Sequence, residues 1–97
     1  MTLQKKSWRV RRVVNSARKY LGRLDLKIQK AILIKIECLE FDPYQGDIRK
    51  VQGKVDIFRL RIDDYRVYYR LCPEDKSIDI LLISHKSAIK ERTIQRI

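Results

Sequence analysis

The chain has 97 residues, 44% of them apolar and 36% charged, and a formal net charge of +11 at pH 7. This apolar fraction excludes wholesale disorder, and the length suits one domain over residues 1–97 whose core needs neither disulfide nor metal. Residues 1–48 carry 11 Lys/Arg against 5 Asp/Glu and residues 49–97 carry 12 against 7, so the basic excess belongs to the whole fold and points to nucleic acid or an acidic protein as partner.

Met1 to Lys6 lacks the apolar stretch of a signal peptide, and no apolar run is long enough to span a membrane. From Trp8 onward the pattern becomes informative. Trp8 and Val10 alternate with Arg9 and Arg11, which predicts a strand over residues 7–13. Asn15 or Ser16 can cap a short helix from Ala17 to about Gly22, and Asp25 a longer one to about Phe41. Ile28, Ile32, Ile36 and Leu39 recur at helical spacing and form its core stripe. Leu33, Ile34 and Cys38 widen that stripe; a deeply covered helix is the expectation, and a patch receiving a partner protein the alternative. Cys38 and Cys72 form no CxxC pair and read as free thiols of a reducing, cytoplasmic compartment.

Asp42-Pro43 ends the long helix, and Tyr44 to Lys54, polar and containing Gly46 and Gly53, reads as a loop. A hairpin turning at Asp63-Asp64 follows. Phe58, Leu60 and Ile62 face one way on its first strand, Arg59 and Arg61 the other. Val67, Tyr69 and Leu71 share a face on its second strand, with Arg66, Tyr68 and Arg70 opposite. Cys72 to Lys76 makes another turn. Ile78, Ile80 and Leu82 then face away from Leu81 and Ile83, as in a central strand. Ser87 can cap a short helix to Ile97. The fold class is α+β: a mostly antiparallel four-stranded sheet, two N-terminal helices on one face and a short C-terminal helix.

The segment Val51 to Arg70, with Leu81 to Lys86, resembles the RelE/ParE superfamily of type II toxin–antitoxin toxins. The resemblance rests on Gly53, Arg59, Arg61, Asp64, Tyr65, Arg66, Val67, Tyr69, His85 and Lys86, and Ala17, Leu21, Leu24 and Pro43 suit the helical half. Asp63 stands where the family usually has glycine, Lys86 where it has arginine, and Lys90 where many members carry a tyrosine that helps activate the attacking hydroxyl.

The resemblance implies a toxin that cleaves mRNA on the ribosome without a metal or other cofactor, the 2′-hydroxyl attacking its own phosphate. Such a reaction needs a base, cations around the phosphoryl oxygens and an acid for the leaving oxygen. Arg61 and Arg66 fit the cation role, through the planar guanidinium fork, and His85 and Lys86 the proton-transfer role. Lys54, Arg59, Arg70 and Lys90 are candidates for binding RNA phosphate, and Tyr68, expected to be exposed, for stacking on a base. The plainer readings are a solvated edge for Arg59 and Arg61, an Asp63 or Asp64 partner for Arg66, and a structural role for His85. A ParE-like gyrase inhibitor without ribonuclease activity and a catalytically degenerate RNA-binding homologue remain open alternatives. The implied partners are a small acidic antitoxin, forming a hetero-oligomer with the toxin, and the ribosome with its mRNA; no membrane is implied.

Overall fold

The computed structural model describes residues 5–97; of the N-terminal stretch read above for a signal peptide, Met1 to Gln4 lie outside them. Alternation at the start of the chain becomes β1, Arg9–Val13. Two helices follow, α1 (Asn15–Gly22) and α2 (Leu26–Phe41), and then β2 (Ile48–Lys50), β3 (Ile57–Ile62), β4 (Tyr65–Cys72) and β5 (Ser77–His85). A single 3-10 turn, Lys86–Ala88, leads to α3, Glu91–Gln95. The strands form one sheet in the order β1-β5-β4-β3-β2. All neighbours are antiparallel except β1, which lies parallel to β5. The helices therefore carry the chain from one sheet edge to the other, and the meander β2 to β5 fills the space between.

The α+β class and the helices on one face agree with the sequence, but the sheet has five strands rather than four. The additional one, β2, lies inside the stretch read as loop. Three residues are too few to display a period, and it forms because Ile48 to Lys50 pair with Leu60 to Phe58 directly after the turn at Gly46.

Ile32, Ile36 and Leu39 of α2 and Ala17 of α1 bury against Leu60, Ile62, Val67, Tyr69, Leu71, Ile78, Ile80 and Ile83. Leu33 and Ile34 are 49% and 61% exposed, and Cys38 is exposed too, so α2 is not deeply covered. The sheet touches only the stripe through Ile32 and Ile36. One residue is about a 100° rotation, which carries Leu33 away from the sheet.

Helix starts differ from the capping pattern. Val14, not Asn15 or Ser16, holds the N-cap position of α1, and its amide donates to the Ile80 carbonyl at 3.0 Å. Asp25 does precede α2, without a side-chain capping bond. Ser87 falls inside the 3-10 turn, and α3 starts after Lys90.

The far face of the sheet carries a second, smaller core. Val51, Ile57 and Tyr68 are buried there, packed with Leu81, Leu82, Ile89, Ile94 and Ile97. Leu81 and Leu82 point the same way because the β4–β5 ladder slips. Tyr68 pairs with Leu82 and Tyr69 with Ile80, leaving Leu81 as a bulge residue. Strict alternation through β5 is thereby overturned: Ile78, Ile80 and Ile83 face the helices, and Leu82 does not.

Side chains fasten the edges. Arg11 grips Asp79 through Nε (3.2 Å to Oδ1) and Nη2 (2.9 Å to Oδ2), and its Nη1 lies 3.3 Å from Asp75. Tyr69, fully buried, donates its hydroxyl to the Pro43 carbonyl at 2.7 Å, tying the end of α2 to the sheet. Burial, with Tyr44 and Asp42 nearby, raises the Tyr69 phenol well above its ordinary value. Because the folded value exceeds the unfolded one, its stabilisation is complete below about pH 10 and is lost as pH rises above it. Tyr69→Phe should lower stability by about 1–3 kcal/mol at neutral pH and flatten the alkaline decline seen in the parent. Urea unfolding of both proteins between pH 8 and 11 measures this; parallel curves would place the sensitivity elsewhere.

Candidate polyanion-binding face

Residues paired across neighbouring strands share a face. Arg49 pairs with Arg59, Arg59 with Tyr68, and Arg61 with Arg66. Arg49, Arg59, Arg61 and Arg66 therefore line up across β2, β3 and β4 on the face away from α1 and α2. Like charges directly opposite cost about 0.2–1 kcal/mol per pair, so this arrangement works against stability. The carboxylate set among them is Asp47, 3.7 Å from both Arg59 Nη2 and Arg61 Nε. Contacts of that length near the surface contribute about 0–1 kcal/mol and leave the patch strongly positive.

Arg59 is the most enclosed of the paired arginines, its side chain 24% exposed. Its Nε is buried and has no hydrogen-bond acceptor among the described residues. An orphaned donor of this kind costs about 1–3 kcal/mol. Arg66 is anchored differently. Its Nη1 donates to the carbonyls of Asp63 (2.7 Å) and Tyr65 (2.9 Å), bracing the hairpin turn. The turn needs bracing because Asp63 adopts φ +49°, the left-handed region where the family usually has glycine. The Arg66 partner is thus backbone rather than the Asp63 or Asp64 carboxylate.

Tyr68 does not stand exposed among the arginines as expected. It is only 4% exposed, because Ile94 and Ile97 beyond the 3-10 turn cover the second core. Its ring has no free face for a base. Burial raises its phenol above the ordinary value, against the pull of the Arg59 and Arg66 charges.

The bulge separates His85 from the arginines. His85 pairs with Tyr65, which packs on the main core, so the imidazole lies on the helix side. Its ring meets Tyr65 edge-on at 5.3 Å, and its backbone amide donates to Tyr20 Oη at 3.0 Å. Nδ1 accepts from the Ser87 amide at 3.1 Å, capping the 3-10 turn. Ser84, not His85, is the cross-strand neighbour of Arg66. Lys86 is bound to the turn, Nζ 3.2 Å from Asp64 Oδ1 and its amide donating to the Asp64 carbonyl. Lys90 leads into α3, its amide donating to Thr93 Oγ1 at 3.3 Å. Lys54 Nζ donates to the Gln95 carbonyl at 3.0 Å, a cation on the last turn of α3. Arg70 is exposed and pairs across the ladders with Ile57 and Asp79, farther along the strand from the turn.

The structure thus gathers Arg59, Arg61 and Arg66, places Arg70 along the same face, and sets His85 apart. Sequence reasoning misses Arg49, which lies in the stretch read as loop, in a strand too short to show a period.

Comparisons with known proteins agree with this architecture. The family model described as ParE toxin of type II toxin–antitoxin system, parDE, matches residues 8–89. The chain is similar to the archaeal RelE–RelB complex from Pyrococcus horikoshii, with 28% identity, TM-score 0.73, and coverage of 86% of this chain and 99% of that one. It is also similar to the RelBE2 toxin–antitoxin complex from Mycobacterium tuberculosis, with 25% identity, TM-score 0.69, and coverage of 80% and 96%. The isolated E. coli RelE toxin shares the fold at 14% identity, TM-score 0.69, over 92% of this chain and 93% of that one. A sequence search of curated proteins finds no match.

Binding to a single-stranded RNA oligonucleotide across a salt series tests the face. Each phosphate contact contributes about 0.7 to the slope of log affinity against log salt. Arg61→Ala should weaken binding and flatten the slope by about that amount, and His85→Ala should leave the slope unchanged. Equal effects of the two substitutions would remove the distinction between the faces.

Proposed function

The chain belongs to the ParE toxin family of type II toxin–antitoxin systems, within the RelE/ParE superfamily, and we propose that it is a cytoplasmic, ribosome-dependent mRNA endoribonuclease. The observation that supports this most directly is the alignment of Arg59, Arg61 and Arg66 across β3 and β4. Guanidinium groups side by side on one sheet face suit the phosphoryl oxygens of a bound RNA strand. In the proposed reaction the 2′-hydroxyl attacks the adjacent phosphorus. The 2′-hydroxyl gives its proton to water as the bond from phosphorus to O2′ forms, the bond to O5′ breaks with O5′ taking a proton from water, and the arginines bear the charge that develops. His85 Nδ1 and Lys86 Nζ are engaged with Ser87 and Asp64, and Lys90 meets Thr93 through its backbone amide; the arginines carry the proposal.

The partner is an acidic antitoxin, as the RelE–RelB complexes among similar structures suggest. The groove between α2 and β3, with Ala31 and Ile34 on one wall and Lys35 and Arg61 beside them, suits an amphipathic acidic segment. A second reading, inhibition of gyrase without RNA cleavage, is favoured by the placement of His85 on the opposite face from Arg66.

Expression in cells, with parallel mapping of mRNA 5′ ends and plasmid topology, decides between them. New 5′ ends within translated regions are expected; intact mRNA with relaxed plasmid would establish the gyrase reading instead. Arg61→Ala should lower cleavage about 100- to 1000-fold, as loss of a transition-state donor does.

A further inference from the structure

Helix α2 carries a second apolar stripe, which the sheet does not cover. Leu26, Lys30, Leu33, Glu37 and Phe41 recur at helical spacing and share one face, with Ile34 beside them. Leu26 is 71% exposed, and Leu33 and Ile34 stand open as well. Phe41 is half-buried, with Lys6 Nζ 5.8 Å from its ring centre. Two charges interrupt the stripe. Lys30 is exposed and, among the described residues, pairs with no carboxylate. Glu37 meets only Lys6, through Oε1 at 3.2 Å.

The stripe is its own complement. In chain order it reads apolar, cation, apolar, apolar, anion, apolar, and its midpoint falls between Leu33 and Ile34. Laid antiparallel on a copy of itself about that midpoint, Leu33 comes level with Ile34 of the second copy, Lys30 with Glu37, and Leu26 with Phe41. A two-fold axis forms each of these pairings twice. We propose that the outer face of α2 is a self-association surface that takes a second copy of this chain in antiparallel register.

An acidic segment of another protein fits the stripe less well. It would satisfy Lys30 and confront Glu37, whereas the second copy answers both. The groove offered to the antitoxin runs along the flank of α2 at Ala31 and Lys35 and shares only Ile34 with the stripe. Arg59, Arg61 and Arg66 lie on the opposite face of the sheet from α2, so pairing leaves both arginine faces open. One helix per copy places the interface at the small end of specific ones, below about 1,200 Å², and dimer and monomer therefore exchange with concentration. The pairing does not depend on whether RNA is cut.

Light scattering and sedimentation of the full chain test the pairing at about 0.15 M salt, where charges more than about 8 Å apart are screened. The mass should rise with concentration from 11.7 kDa toward twice that value. Lys30→Glu and Glu37→Lys, each alone, set like charges against one another and should weaken association about tenfold. An equimolar mixture of the two variants restores opposite charges at both pairs and should regain the dimer. A parent that stays monomeric up to about 1 mM, the weak end of specific association, would overturn the pairing. A mixture no heavier than its separate components would overturn it equally. Should either variant not fold, Leu33→Asp decides in its place, at an exposed position near the axis: loss of the parent's dimer supports the surface, and a dimer that persists refutes it.

Discussion

One extra residue in the β4–β5 ladder governs where the chemistry-bearing side chains of this protein fall. Side chains alternate along a strand, so slipping the register by one residue moves everything beyond it to the other face. Leu81 is that residue. Before it, Ile78 and Ile80 pack under α1 and α2; beyond it, Ile83 does. With unbroken alternation His85 would share the face of Arg66. With the bulge, Ser84 takes that place, and the imidazole turns toward Tyr65. The same slip gives Leu81 and Leu82 jointly to the second core, which anchors the C-terminal segment and buries Tyr68.

The arginine face follows from a different balance. Arg61 opposes Arg66 and Arg49 opposes Arg59, with Asp47 bridging only at long range. The main core on the other side of the sheet, from Ile32 through Ile83, is what allows the fold to carry this repulsion. Repulsion among fixed cations is the counterpart of attraction for an anion, so what strains the empty face strengthens the loaded one. Arg66 also belongs to both accounts, since one guanidinium nitrogen secures the strained turn at Asp63.

Much of the fold was legible because alternation and helical spacing report burial directly. Ile32, Ile36 and Leu39 are buried as their spacing requires, and Leu60, Val67 and Tyr69 face the helices as alternation requires. The remainder was hidden for physical reasons. Leu33 and Ile34 are apolar, but composition cannot tell a covered face from a bare one when the covering element lies far off in sequence. Ile48–Lys50 is too short to reveal a strand. A bulge has no pattern of its own in a strand as uniformly apolar as Ile78 to Ile83. The exposure of Tyr68 was misjudged because its cover, Ile94 and Ile97, comes from a helix of five residues and the chain just after it. In the candidate site the arginines were legible from their alternation, whereas the neighbours of His85 depended on the bulge.

The parallel pairing of β1 with β5 joins the beginning of the chain to its end, Arg9 beside Ser77 and Val13 beside Ile80. Such a contact closes only once β5, about 70 residues after β1, has been made. During synthesis β1 therefore waits unpaired for β5, the strand that closes on it and on β4. Topology alone thus leaves the arginine-bearing strands β2 to β4 with an open edge until β5 is in place.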